Sequence, residues 1–184
     1  MTDDDRIRAE TLLAFWREAG PDRWFEADPD FDAACGERFL PDYRRAARDE
    51  LCGWEEEPDG ALALVLLLDQ IPRNVFRRTA RAWATDDGAL DIARRAIRRG
   101  FDTSVDPTLR RFLYLPFSHS EDIDVQDEGV ALTEAAGDAD ALRWARHHRA
   151  IVARFGRFPH RNDPLGRSST SEELTFLVEN PFGT

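Results

Sequence analysis

The sequence predicts an all-α fold, about eight or nine helices joined by short turns in one domain over residues 1–184. Three observations carry this. Apolar residues recur at steps of three and four, and no stretch alternates as a strand for more than a few residues. Residues that start helices (Asp, Thr, Pro) and stop them (Gly, Pro) punctuate the periodic stretches at helical lengths. Residues 61–68, Ala-Leu-Ala-Leu-Val-Leu-Leu-Leu, have no polar face, so they form a central helix covered on all sides. Helix pairs stacked as a solenoid and a compact irregular bundle both suit this pattern.

Taken in order, Asp3, Asp4 and Asp5 suit the positive end of a first helix, with Ile7, Leu12, Phe15, Trp16 and Ala19 on one face. Gly20-Pro21 ends it, and Trp24 and Phe25 plug the core beside it. Asp30 caps a short helix with Phe31, Ala34, Cys35 and Phe39 inward. Pro41 breaks it and opens another, whose inner face is Tyr43, Ala46, Ala47, Leu51 and Trp54. After the solvated Glu55-Glu56-Glu57-Pro58, the central helix runs to Asp69-Gln70-Ile71-Pro72-Arg73-Asn74. An anionic Asp69 at the C-terminal end of a buried helix faces the negative dipole end and loses water. It therefore needs a cation, with Arg73 the nearest and the arginines near residue 160 the distant candidates.

Thr85-Asp86 caps a helix reaching about Arg99, with Leu90, Ala93, Ala96 and Ile97 inward and Gly100 as its stop. Asp106-Pro107 starts a helix with Leu109, Phe112 and Leu113 inward, which Pro116 closes. Ser118 or Ser120 caps the next helix, placed by Ile123, Gln126, Val130 and Leu132. Gly137-Asp138 separates it from a helix with Leu142, Ala145, His148, Val152 and Phe155 inward, so that His147 points away. Gly156 ends that helix. Thr170-Ser171-Glu172-Glu173 is a capping box that opens a last helix, with Leu174 and Leu177 inward and Pro181 beyond its end.

The chain carries 36 acidic residues, and all 25 basic residues are arginine. A net charge of −11 disfavours nucleic acid and anionic membranes as partners. This composition fits a salty cytoplasm or a GC-rich genome. The acidic N-terminus is unlike a secretory signal, and no apolar run is long enough to span a bilayer. Cys35 and Cys52 lack metal spacing and read as reduced thiols, so a cytoplasmic location is expected.

Against this acidic background, residues 154–167 carry a formal +3, with four arginines and one aspartate. Glycines and prolines keep the segment 155–170 out of helix, while Phe155, Phe158, Leu165 and His160 make it unlike a floppy connector. Arginine offers a planar fork for carboxylate or phosphate, so Arg157, Arg161 and Arg167 either receive an anion or clasp Asp69, Glu121 and Asp122. His119, His148 and His160 lie near helix and loop junctions; a polar cluster there could shift a histidine toward acid–base work. No HExxH-like spacing supports a metal, and no cofactor is expected.

Four stretches are long enough to be recognised. Leu68-Asp69-Gln70-Ile71-Pro72-Arg73-Asn74, Leu115-Pro116-Phe117-Ser118-His119-Ser120-Glu121, Phe155-Gly156-Arg157-Phe158-Pro159-His160-Arg161-Asn162 and Leu165-Gly166-Arg167-Ser168-Ser169-Thr170 resemble the bacterial domain-of-unknown-function family 924. Phe15-Trp16, Trp24-Phe25 and Phe31-Asp32 also fit, although Arg17 stands where the family pattern has a further aromatic. The resemblance implies a tetratricopeptide-like helical fold and names no activity. The expectation is one polar pocket holding a small anionic metabolite, with Asp69, Gln70, Arg73, Asn74, Glu121, His148, Arg157, Arg161, Asn162 and Arg167 as binding residues. His119 and His160 are the candidate proton-transfer groups. The alternative is a helical-repeat module for a protein or peptide partner, with these residues serving only as internal staples.

Overall fold

Residues 61–68 lie on the buried axis of the structure, a computed structural model that describes residues 1–180. Every residue from Gly60 to Pro72 is buried. The axis consists of α4 (Pro58–Val65), a π-type turn (Leu66–Gln70) and α5 (Ile71–Val75), joined without a break. Before it come α1 (Asp3–Ala19), α2 (Pro21–Trp24) and α3 (Pro29–Ala46). After it come α6 (Asp86–Arg98), α7 (Leu115–His119), α8 (Ile123–Ala136), α9 (Ala139–Phe155) and α10 (Ser171–Glu179). Counting the continuous axis once, the described residues hold nine α-helical pieces and no strand, the all-α class expected. None of these helices is long and apolar enough to cross a membrane.

The helices α1, α3 and α6 pack around the axis. Trp16, Phe31, Phe112 and Phe117 fill the main core with the leucines of the axis. Gly60 is needed where the axis begins, because a Cβ there would collide with the Trp54 carbonyl. A second, smaller core joins Ile151 and Val152 of α9 to Phe158 of the following loop and Phe176 of α10. Gly137, at φ 76°, and Asp138, which accepts the Ala141 N–H at 3.0 Å, make the two-residue stop and cap that folds α8 back on α9.

Several element-level expectations need correction. Pro41 does not break α3, which runs through it. Pro41 and Glu37, four residues earlier, are both exposed, so the carbonyl left without a donor can face water. The cap of α3 is Asp28, which accepts from Asp30 and Phe31 N–H, and Asp30 sits inside the helix. Ala47 is exposed, and Leu51 and Trp54 enter the core from the loop and a short 3-10 turn after α3. Ile7 and Phe25 are exposed, though Phe25 stacks on Phe112. Residues 106–113 form turns and a 3-10 piece, and Pro116 opens α7 where closure was expected. Asp122 caps α8, not Ser118 or Ser120. In α10, Glu173 and Phe176 face inward and Leu174 is exposed; Pro181 lies outside the described residues. The capping box itself forms in full at Thr170 and Glu173. Arg17 pairs with Asp106 at 2.6 Å.

Candidate functional site

The site begins at the π-type turn. Pro72 has no N–H to give the Leu68 carbonyl four residues back, so the regular helical ladder fails there. The Ile71 N–H bonds Leu66 O, five residues back, which widens the turn. The Thr85 hydroxyl takes over the Leu68 carbonyl at 2.5 Å, and the Arg73 guanidinium bonds the Asp69 carbonyl. Single π turns inside α-helices frequently mark functional sites, and this one carries Asp69 and Gln70.

Asp69 is fully buried. One carboxylate oxygen, Oδ2, accepts from Gln70 Nε2 at 2.6 Å. The other, Oδ1, lies 2.7 Å from His119 Nδ1 and 3.2 Å from Arg73 Nη1. Burial by itself would raise this carboxyl; the charges of Arg73 and His119 and the bonds from His119 and Gln70 overcome it and hold Asp69 below the ordinary carboxylate range. With Asp69 ionised, the shared hydrogen sits on His119 Nδ1, which leaves a lone pair on Nε2. Burial, then the charge of Arg73, holds His119 below its ordinary value against the pull of Asp69. The result is a neutral imidazole oriented by a buried carboxylate, the arrangement a general base requires.

Arg73 is a paired cation. Its fork binds Asp86 through two bonds of 2.9 Å each, in addition to its contact with Asp69. Arg161 is different. It is 7% exposed, and its nearest carboxylate oxygen, on Asp86, stands 3.6 Å from Nη1. Its buried Nε has no hydrogen-bond partner. The guanidinium carbon lies 4.6 Å from the centre of the Phe158 ring and 5.4 Å from that of Trp83. Burial, then the like charge of Arg73, pushes Arg161 down to about 10, so it remains a cation at neutral pH.

The histidines gather around this arginine. The His119 and His148 rings are 6.3 Å apart, His148 and Phe158 5.6 Å, and Phe158 and His160 5.6 Å. Burial is the main reason that His148 and His160 are both pushed down to about 3. The Nδ1 atom of His148 is buried without a hydrogen-bond partner. Among the described residues no group of three or more His, Cys, Asp and Glu side chains converges as a metal site.

The late loop is pinned beside this cluster. Glu121 accepts two bonds from Arg167, at 2.7 and 3.0 Å, and the Phe158 N–H at 2.8 Å. These bonds overcome burial and hold Glu121 below its usual range. Arg157 forks onto Glu173 at 2.7 and 2.9 Å and reaches the Ser168 carbonyl. The fully buried Asn162 donates to Ser169 Oγ at 3.0 Å. Asn74 bonds the Gln70 carbonyl and accepts from Arg77, whose fork holds Asp32.

Asp69, Gln70, Arg73, His119, His148, His160 and Arg161 therefore meet in one cluster, with Glu121 and Arg167 tethering its edge. Arg157 and Asn162 brace the loop internally, and Asn74 belongs to a separate chain of bonds toward α3. Asp69 takes Arg73, the nearer of its two candidate cations. Arg157 and Arg161 meet Glu173 and Asp86, neither of which figured among the expected acidic partners. Asp86 and Trp83 were not expected at the site, because the Thr85-Asp86 pair reads as an ordinary helix cap and Trp83, with Phe76, only continues the apolar pattern of the sequence. The one available signal was an aspartate thirteen residues after Arg73, too weak to stand alone.

A family model described as a bacterial protein of unknown function (DUF924) matches residues 12–181. A solved structure, that of the protein of unknown function ATU0120 from Agrobacterium tumefaciens, is similar at 49% identity and a TM-score of 0.90. The match covers 94% of this chain and 97% of that one. No curated protein matches.

Proposed function

The chain belongs to the DUF924 family of bacterial proteins of unknown function, and from its own residues we propose that it binds a small anionic ligand at Arg161, beside a proton-transfer pair formed by Asp69 and His119. The observation that supports this reading is the state of Arg161: nine-tenths buried, charged, and with Nε unpartnered. An arginine kept only to clasp the fold would be forked onto a carboxylate, as Arg73, Arg157 and Arg167 are. A buried charge left short of partners destabilises the free protein and is relieved when an anion arrives. Asp69 keeps His119 in the tautomer whose Nε2 can take a proton from the ligand or a bound water. The partner-binding alternative, with its tetratricopeptide-like stacking, would make every arginine a staple, and Arg161 runs against it.

The test is Arg161→Met, which keeps the stem against Phe158 and Trp83 and removes the charge. Unfolding in denaturant is expected to show stability within about 1 kcal/mol of wild type, or higher. The thermal stabilisation that acetate or inorganic phosphate gives wild type should vanish in the variant. A loss of about 3–5 kcal/mol would make Arg161 a structural clasp and defeat the reading.

A further inference from the structure

We infer that the ligand of this site is a carboxylate monoanion, gripped edge-on by Arg161, and that His119 takes up a proton as it binds. The inference rests on the anion-site reading above and adds the ligand's chemical class and its coupling to protons.

Geometry argues for the carboxylate. All the N–H bonds of a guanidinium lie in its plane, so an acceptor must approach its edge. Aromatic rings, Trp83 and Phe158, stand against Arg161 and supply no oxygen acceptor. Asp86 approaches Nη1 alone and is itself committed to both bonds of Arg73. The Nε on the remaining edge is buried and has no hydrogen-bond partner, so a carboxylate enters there by displacing the rings that cover it. Two carboxylate oxygens match the spacing of Nε and the terminal nitrogen beside it, giving two parallel bonds in one plane. A tetrahedral phosphate would fill the same edge with two oxygens and bury the others against rings.

Charge argues for a monoanion and for the proton. The cluster holds three carboxylates, Asp69, Asp86 and Glu121, against three guanidiniums, Arg73, Arg161 and Arg167. It is balanced before any ligand enters. A dianion would leave an excess of two negative charges in a site shielded from water, whereas a monoanion leaves one, and one proton restores the balance. His119 is the group placed to accept it. It faces Asp69 and Arg73 on the central axis and Asp86 on α6, while His160 on the late loop and His148 on α9 complete its surroundings; Arg161 is joined to it through Asp86, which both face. The α8 side contributes Gln126, whose amide bonds the Ser118 and Ser120 carbonyls on either side of His119. Asp69 at 2.7 Å stabilises the imidazolium once the ligand adds its charge.

The experiment is isothermal titration of the full chain with acetate, benzoate, sulfate and inorganic phosphate at constant ionic strength, in amine buffers of different ionisation heat at pH 7 and pH 8. Carboxylates are expected to bind more tightly than sulfate or phosphate, with uptake of about one proton and an affinity that falls close to tenfold from pH 7 to pH 8. Arg161→Lys, which keeps the charge and loses the fork, should bind carboxylate at least tenfold more weakly. His119→Gln should bind without taking up a proton. Tighter binding of phosphate or sulfate, abolished in Arg161→Met, would overturn the carboxylate inference and leave the anion site standing. Carboxylate binding without proton uptake would overturn the role of His119. No anion binding sensitive to Arg161 would overturn both the inference and the reading beneath it.

Discussion

His148 and His160 lose more than they gain, one at a time, by entering this cluster. Burial pushes each down to about 3 from an ordinary 6.5. Below pH 6.5 the unfolded chain therefore binds protons that the folded chain refuses. The stability tied to these groups is complete above about pH 6.5 and lost as the pH falls toward 3, by at most about 1.4 kcal/mol per pH unit for each histidine. Asp69, also depressed, keeps its contribution until the solution is more acid than about pH 4. Denaturant unfolding between pH 7 and pH 4.5 should therefore show a midpoint that drops steadily, with a shallower slope in His148→Gln. A flat profile over this range would mean that the histidines are not neutral in the folded protein.

At the scale of elements, close approach decides what propensity does not. Gly129 lies inside α8, where alanine would favour the helix by about 1 kcal/mol. A Cβ there would stand 2.6 Å from the Phe117 Cβ on α7, the helix that carries His119. Gly129→Ala should thus destabilise the protein by about 1–3 kcal/mol, measured by denaturant unfolding, because α7 must move to admit the methyl. Stabilisation would show that the two helices slide apart freely. The π-type turn makes the same point. Pro72 can be read from the sequence as a helix breaker, yet the axis continues because the Thr85 hydroxyl and the Arg73 guanidinium satisfy the carbonyls left over.

Over the whole molecule, two electrostatic effects oppose each other. The net charge of −11 repels itself, and salt screens that repulsion. Exposed arginine pairs such as Arg6–Glu57 and Arg48–Glu50 are weakened by the same screening, but pairs this open to water contribute little. Self-repulsion should dominate, so the thermal midpoint is expected to rise between 0.05 and about 1 M KCl. A falling midpoint would mean that the arginine pairs outweigh the net charge. The cluster around Asp69, shielded from water, should change least.

Periodicity determined the helices, and local chemistry determined many of their ends, because both depend on residues within a turn or two of one another. The unbroken apolar run placed the central axis, the need of Asp69 for a cation pointed to Arg73, and Thr170 with Glu173 announced the last helix. The family motifs marked nearly every residue that the site came to contain. Only the tertiary structure decided the pairing between distant segments: Asp86 rather than Asp69 beside Arg161, Glu173 on Arg157, and Trp83 against a guanidinium. It also decided that Arg161 would be buried without a carboxylate forked onto it. Those outcomes depend on how far apart two side chains lie once the helices have packed, which spacing along the chain does not encode.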